Sequence, residues 1–375
     1  NMMTETSDRR LPVGIQSFKE IRKGNYLYVD KTDLIWNLAN KGYKFNYLSR
    51  PRRFGKSVLV DTLQAYFEGK KELFEGLKIM EMEKEWKSYP VIRLDMSQAG
   101  ATASELRSYL DCTFEKYELK YGIPVEHEDL LGNRIHAIIK SACEQTGLDA
   151  VVLIDDYDFP LLHSWGTPEY EPCTDIYSNI FCVLKGNDYY EKLVFITANT
   201  KLTQFSHGLN NLSYIGLCKQ TAALCGFTEQ EIADYFMPYI KSLGKKNDWT
   251  TIETTYQLKA YYGGYHFSTD NTIEIFNPTS LIKALANQEV NNYMASSDTA
   301  TLWSKLHNVT EISNYSYFLL LDFTMDTADI TEGGTEFFLY QFGYLTIKEH
   351  KEGLYYLDFP NGEAKEALQK LLDRN

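Results

Sequence analysis

The chain has 375 residues, of which 44% are hydrophobic and 24% charged, enough for one large core or for two to three smaller ones. Its formal net charge of −13 repels nucleic-acid backbones at long range, so DNA binding through bulk charge is disfavoured. The six cysteines contain no C-x-x-C pair and the seven histidines no H-x-x-x-H pair, which gives little support to a zinc site or a disulfide framework. No stretch approaches the roughly 18 uninterrupted apolar residues of a membrane span, and we expect a cytoplasmic protein.

The first half of the chain has the pattern of an α/β protein. Residues 11–31 predict a lead-in with two strand-like pieces, and residues 43–49 alternate as a strand does. Apolar side chains at helical spacing follow over residues 57–67, with Gly69 as a helix stop. Near-continuous apolar runs predict further buried strands at residues 91–96, 150–156 and 193–198, separated by helical stretches such as residues 131–145. We therefore expect a parallel-sheet P-loop core of the RecA or ASCE type.

From Gly226 onwards the pattern becomes mostly helical. Thr228 and Glu231 form a capping box that predicts a helix start. Further helices are predicted around residues 251–262, 278–286 and 299–307, and a strand pair at residues 337–347 and 354–359. We expect a core over residues 1–225, a helical lid that resembles a winged helix over residues 226–345, and a small strand and helix over residues 346–375.

Residues 49–60, SRPRRFGKSVLV, match the last part of the phosphate-binding loop pattern but not its first position. Gly55, Lys56 and Ser57 complete the pattern G-x-x-x-x-G-K-S/T, whereas Arg50 stands at the first glycine position. Because Pro51 fixes its own φ and biases Arg50 towards an extended conformation, the turn must be made in another way.

In such a loop, backbone N–H groups surround the β-phosphate, the lysine reaches the β- and γ-phosphates, and the serine hydroxyl binds Mg²⁺. We assign nucleotide binding to a run of consecutive residues: Arg52, Arg53, Phe54, Gly55, Lys56, Ser57 and Val58. Ser57 is also assigned to the metal. Two alternatives stay open, namely a chance G-K-S at a helix start and arginines that are only solvated surface charges.

Two carboxylates, Asp155 and Asp156, follow the apolar run of residues 150–154. In P-loop ATPases a carboxylate at this place holds the magnesium, and the next one orients or deprotonates the attacking water. We assign Asp155 to the metal and Asp156 to catalysis, although Asp156 stands where glutamate is usual and its shorter side chain holds the water further back. The alternative is that both residues only begin a loop.

Other residues are candidates for sensing and for charge neutralisation. Thr197 or Asn199, at the end of the strand over residues 193–198, would lie beside the γ-phosphate, and a turn role is the alternative. No arginine occurs between Arg134 and Arg374, which disfavours a ring-forming AAA+ motor with a late arginine finger. Transition-state charge then falls to Arg52, to Arg53, to an N-terminal arginine or to a lysine such as Lys201, and we assign Arg53 a catalytic role together with Thr197.

The ordered motifs resemble the AAA-ATPase-like family that is abundant in Bacteroidetes, over about residues 11–372. These motifs are LPVGIQSFKEIRKGNYLYVDKTDLI, SRPRRFGKS, LIDDYDFPLL, SHGLNNL, CGFTEQEI, YYGGYHF, FNPTSLI and LYQFGYLTI. The resemblance implies that the loop R-P-R-R-F-G-K-S is normal for the family, that ATP and Mg²⁺ are the cofactors, and that Lys56, Ser57 and Asp155 contact them.

The chain departs from this family at two places and resembles it at a third. The family usually has L-I-D-E-Y-D where this chain has Asp156, and Thr-Gly where it has Thr197 and Ala198. Many members carry a C-terminal PD-(D/E)XK nuclease domain, and the segment LDFPNGEAKEALQKLLDRN resembles the junction that leads into it. No nuclease E-x-K motif follows that segment in this sequence, and we therefore expect no nuclease activity from this polypeptide.

The sequence predicts an ATP-binding protein that hydrolyses ATP slowly with Mg²⁺ and acts as a conformational switch for an unknown protein effector. Asp156 and the missing arginines favour, as an alternative, a nucleotide-binding scaffold that does not hydrolyse. The nuclease association of relatives favours a third hypothesis, a DNA-associated module of a mobile element or a defence system.

Overall fold

The computed structural model describes residues 9–202, 212–270, 272–294, 297–306 and 318–373. Residues 206–211 of the motif SHGLNNL, and His307 at the end of a predicted helix, lie outside the described residues. The chain forms two compact units. The first comprises Asn1–Ile35, Arg50–Asp61 and Gly216–Asn375, and the second comprises Trp36–Ser49 and Thr62–Ile215.

Helices dominate the described part of the chain. In chain order they are α1 (Phe18–Lys23), α2 (Thr32–Lys41), α3 (Lys56–Phe67), α4 (Ala103–Lys120), α5 (Leu131–Thr146), α6 (Phe159–Ser164), α7 (Tyr170–Gly186), α8 (Glu229–Tyr235), α9 (Met237–Asn247), α10 (Thr251–Tyr262), α11 (Pro278–Asn287), α12 (Ser297–Leu306), α13 (Asp322–Thr327), α14 (Gly334–Gln341) and α15 (Gly362–Asp373). The strands are β1 (Phe45–Ser49), β2 (Val91–Asp95), β3 (Ala150–Asp155), β4 (Glu191–Ala198), β5 (Ser213–Tyr214), β6 (Phe227–Thr228), β7 (Ile275–Phe276), β8 (Phe318–Leu321), β9 (Thr346–Lys351) and β10 (Leu354–Asp358). None of these described helices combines the length and the apolar character that a bilayer crossing requires.

The second unit is built on a five-stranded parallel sheet in the order β2-β3-β4-β1-β5. Its middle strands consist of near-continuous apolar runs, and every residue of β3 is buried, as expected for a parallel sheet covered on both faces. Helices α4, α5 and α7 of this unit pack against one another. The sheet therefore confirms the α/β P-loop-like fold that the sequence predicts.

In its described residues the first unit is mostly helical and contains two small antiparallel sheets, β8-β10-β9 and β6-β7. Helix α8 begins at the predicted capping box, in which Thr228 accepts from the Glu231 N–H and the Glu231 side chain accepts from the Thr228 N–H. Phe236, Leu258 and Leu281 join one apolar cluster of this unit. The predicted winged-helix likeness and the domain boundaries at residues 225 and 345 stay predictions.

Two segments that were predicted to contain strands are helical in part. Residues 337–347 were predicted as a strand, but α14 extends to Gln341 and β9 begins only at Thr346. Phe337, Phe338 and Leu339 are all fully buried, and a continuous buried run does not distinguish a helix from a strand. Within residues 11–31 the regular element is α1, which Ser17 caps by accepting from the Glu20 N–H.

Candidate functional site

The loop over residues 50–55 follows β1 and leads directly into α3. Lys56 and Ser57 are the first residues of that helix, and the Leu59 N–H donates to the Gly55 carbonyl over 3.2 Å. The N–H groups in the first turn of a helix point outwards along its axis and attract anions. The local structure is therefore the one that a phosphate-binding loop requires.

Gly55 is required by the backbone conformation. Its φ of +85° lies in the left-handed region, which glycine adopts without steric cost. A Cβ atom at Gly55 would meet no heavy atom within 4 Å. The conformation of the chain at this point, and not the space around it, selects glycine.

Lys56 is turned back towards the start of its own loop. Its side chain is 6% exposed, and Nζ donates to the carbonyl oxygens of Arg50 and Pro51 at 2.8 Å each. A phosphate that engages this ammonium group would replace two neutral acceptors with charged ones, which form stronger hydrogen bonds.

Arg52 and Arg53 follow Pro51 on the loop, and both are more accessible than Arg50, which is buried. Arg53 has a φ of +64°, and its Nη1 donates to the Tyr293 carbonyl over 2.8 Å. The Arg53 carbonyl in turn accepts from the Thr279 hydroxyl. The loop is thus tied at this residue to two other segments of the first unit.

Phe54 has a structural side chain. It is 1% exposed, and its ring packs edge-to-face against Tyr265 and Phe267, with centroids 5.0 and 5.4 Å apart. Any contact of Phe54 with a nucleotide therefore falls to its backbone. Val58, the last predicted loop contact, is half-buried on α3.

Three carboxylates meet at the carboxyl ends of β2 and β3 in the second unit. Asp155 ends β3 and Asp156 follows it, while Asp95 ends β2 directly opposite Asp155 in the strand register. One carboxylate oxygen of each residue lies within 4.8 Å of the other two. We refer to Asp95, Asp155 and Asp156 as the acidic trio, and its all-oxygen donor set is of the kind that Mg²⁺ prefers.

Sequence reasoning missed Asp95. The run of residues 91–96 was interpreted only as a strand, although it ends in aspartate just as β3 does. The Asp95 carboxylate also accepts from the N–H of Ser97 at 3.1 Å and from its hydroxyl at 2.6 Å. The signal that would have revealed it is the adjacency of two parallel strands that both end in a carboxylate.

Thr197, at the end of β4, is brought to Asp155. Its fully buried hydroxyl donates to Asp155 Oδ1 over 2.5 Å, and the Asp156 N–H points to the same hydroxyl over 3.4 Å. The Thr197 carbonyl accepts from the Tyr157 N–H at 2.9 Å. Thr197 therefore orients one carboxylate and holds the turn in which Asp156 adopts a left-handed φ of +51°.

Asp158, which sequence reasoning left without a role, organises the turn after β4. Its buried carboxylate accepts from the N–H and the hydroxyl of Thr200 at 2.9 and 2.7 Å, and from the Asn199 N–H at 3.2 Å. The Asn199 backbone thus has the turn role that the sequence had left open. Lys201, the other candidate cation here, lies with Nζ 4.3 Å from the centroid of the Tyr214 ring.

Comparison with known proteins places these residues in a family. The sequence profile of the family described as Predicted AAA-ATPase matches residues 12–206, which include the loop, the acidic trio and Thr197. A protein of Azotobacter chroococcum mcd 1, described as an uncharacterized protein in the vnfD 5' region, is 30% identical over 379 residues, covering 98% of this chain and 70% of that protein. The profile match spans more than half of the chain and the relative matches nearly all of it, so this protein belongs to the predicted AAA-ATPase family.

Proposed function

We propose that this protein binds ATP together with Mg²⁺ and hydrolyses it slowly, as a conformational switch that a protein effector senses. Membership of the predicted AAA-ATPase family supports a nucleotide-binding, ATPase-like role. The observation that carries the proposal is the loop over residues 50–55, which leads into α3 so that Lys56 and Ser57 open the helix.

The loop supplies the groups that phosphates require. In the proposal the Lys56 ammonium exchanges the carbonyls of Arg50 and Pro51 for phosphate oxygens, and the first N–H groups of α3 donate to the same anion. Arg52 and Arg53 add positive charge to this loop, which offsets the missing first glycine.

Asp95 and Asp155 of the acidic trio would hold a magnesium ion, because they offer carboxylate oxygens from two neighbouring strands and leave Asp156 to the attacking water. The loop pattern separately assigns the Ser57 hydroxyl to Mg²⁺. When bound, Mg²⁺ neutralises charge that develops on the phosphates. Thr197 contributes by keeping one oxygen of Asp155 in a fixed position.

Asp156 is the residue to which we assign the attacking water. In the proposed step the Asp156 carboxylate takes a proton from a water whose oxygen bonds to the γ-phosphorus, while the bond from that phosphorus to the β–γ bridging oxygen breaks and its electron pair stays on that oxygen. The carboxylic acid then releases the proton to solvent. The products are ADP and inorganic phosphate. Aspartate is one methylene shorter than the usual glutamate, which supports a slow reaction.

The same shortened side chain supports a second candidate function, a nucleotide-binding scaffold without turnover. Phosphate release by the wild type and by Asp156→Glu and Asp156→Asn separates the two. For a slow ATPase we expect Mg²⁺-dependent turnover that falls on the order of 100-fold in Asp156→Asn. We expect Asp156→Glu to change it by less than about tenfold, which is about 1.4 kcal/mol in the barrier.

The exposed Asp149 provides the matched control, since Asp149→Asn removes a carboxylate at the amino end of β3, the end opposite to Asp155. An inactive wild type that gains turnover by more than about tenfold in Asp156→Glu would instead establish the scaffold.

A further inference from the structure

We propose that Arg50 is a positioning residue of the phosphate loop, whose anchored side chain holds in place the carbonyls that orient Lys56. The inference rests on the proposed function, and it deepens it by explaining how the loop keeps its shape without the first glycine of the usual pattern.

The side chain of Arg50 is committed to the interior of the first unit. It is 2% exposed, Nη1 donates to the Gly216 carbonyl over 2.7 Å, and Nη2 donates to the Thr221 carbonyl over 3.2 Å. The guanidinium carbon lies 4.2 Å from the centroid of the Phe267 ring. Hydrogen bonds and a cation–π contact of this kind offset the cost of burying a charge.

Burial also lowers the pKa of the Arg50 guanidinium, and the nearby Cys225, Tyr340 and Cys218 oppose this change. The first and largest cause is desolvation. Burial therefore has the largest effect on the pKa of this guanidinium, as expected for a group that lies among protein carbonyls and rings.

The main chain of the same residue meets Lys56. The carbonyls of Arg50 and Pro51 each accept from Lys56 Nζ at 2.8 Å. Pro51 is held in turn by close packing, since a Cβ atom at Gly343 would lie 2.9 Å from Pro51 Cβ. The Arg50 side chain and the Pro51 ring thus fix the start of the loop. The carbonyls of these two residues orient Lys56.

This arrangement replaces backbone freedom with an anchor. A glycine at the first position makes the turn by its own conformational range, whereas here a planar fork bonds to two carbonyls that lie 166 and 171 residues along the chain. Removing the fork releases the loop carbonyls, so that they no longer hold Lys56 in position before the phosphate enters, and binding weakens without the loss of a phosphate contact. It also breaks the link between the loop and residues 216–221.

The test is isothermal titration with Mg-ADP, which binds without being hydrolysed, of the wild type, Arg50→Met and Arg50→Lys. We expect both variants to bind about tenfold or more weakly, because losing a supporting contact costs about 10- to 100-fold and a lysine cannot bond to both carbonyls. Arg107→Met, which removes an exposed arginine of α4, should bind as the wild type does.

The outcomes separate this inference from the proposed function. A wild type that binds no nucleotide refutes the proposed function and, with it, the inference. A wild type that binds while Arg50→Met binds equally well refutes the inference alone. Full binding by Arg50→Lys would show that only the positive charge matters, which also refutes it.

Hydrogen exchange supplies a second measurement, which would not differ between the wild type and Arg50→Met if Arg50 only stabilised the fold. In the wild type, nucleotide should raise the protection of residues 216–221, and in Arg50→Met it should not. If thermal melting shows that Arg50→Met fails to fold, Phe267→Leu is compared with Tyr265→Leu, since both remove a ring that packs on Phe54, and Phe267 is the one that lies beside the Arg50 guanidinium. Weaker Mg-ADP binding by Phe267→Leu than by Tyr265→Leu supports the anchor, and equal binding by the two contradicts it.

Discussion

At the scale of single residues, Thr197 sets the geometry of a carboxylate that the sequence alone assigns to the metal. Its hydroxyl is fully buried and bonds to Asp155, which leaves that carboxylate little freedom. A donor of this kind fixes the orientation of a metal ligand, and removing such a supporting contact typically costs about 10- to 100-fold in metal affinity.

Thr197→Val should therefore weaken magnesium binding while leaving the fold in place, because valine has nearly the same shape and lacks only the hydroxyl. We expect the Mg²⁺ concentration for half-maximal ATP turnover to rise about tenfold or more. Thr197→Ser keeps the hydroxyl and serves as the matched control. Equal Mg²⁺ dependence in wild type and Thr197→Val would show that Thr197 does not position the metal ligand.

A site residue could be predicted from the sequence where the residues that define its role lie close to it along the chain. Lys56, Asp155 and Asp156 belong to short local patterns, so they were assigned from the sequence. Asp95 joins the acidic trio only because β2 lies beside β3, a pairing that no local pattern gives. The Arg50 side chain was equally inaccessible to prediction, because its partners follow it by more than 160 residues.

At the scale of elements, β4 carries an unusual group at its first residue. Glu191 is 1% exposed, and among the described residues its two carboxylate oxygens have no hydrogen-bond partner. Desolvation raises its pKa to about 8, with Lys44 opposing and Asp188 adding to the effect. The folded protein therefore holds this proton at pH values where the unfolded chain releases it.

The raised pKa of Glu191 makes the free energy of unfolding depend on pH. The stabilising contribution of the protonated carboxyl is fully present below the ordinary glutamate pKa of about 4.5. It is lost as pH rises through about 8, since the unfolded chain binds fewer protons over that range. Glu191→Gln stays neutral and should be more stable than the wild type at pH 8.5, by about 4 kcal/mol, with little difference at pH 4.5.

Urea unfolding at the two pH values measures this difference. Glu144→Gln, at an exposed position near the end of α5, is the control and should not alter the pH dependence. The account of Glu191 is wrong if the wild type and Glu191→Gln lose stability in parallel between these pH values.

Elements were predictable where their apolar pattern is distinctive. The strands β2, β3 and β4 are short β-branched runs between polar residues, and they were found almost to the residue. Helix α14 was missed because its aromatic run is buried on every side, so periodicity carries no signal. Helix α1 is only six residues long, which is too short for a periodic pattern to develop.

At the scale of the whole molecule, the net charge of −13 bears on the hypothesis of a DNA-associated module. A protein with this charge meets long-range repulsion from a phosphate backbone, and contact requires a local basic patch. We expect no binding of duplex DNA at about 0.15 M salt, with or without ATP.

Fluorescence anisotropy of a labelled duplex, read over a series of salt concentrations, measures this directly. A binding constant that falls steeply as salt rises would show that several phosphates are contacted, and the DNA-associated hypothesis would then replace the switch.

The most direct test of the central claim is isothermal titration of the wild type and of Lys56→Ala with ATP and Mg²⁺. The account predicts that the wild type binds and that Lys56→Ala loses on the order of 100-fold in affinity, about 2.7 kcal/mol, because a charged donor to the phosphates is gone. Lys116→Ala, at an exposed position on α4, should bind as the wild type does. Equal binding by wild type and Lys56→Ala, or no binding by either, would contradict the assignment of this loop as a nucleotide site.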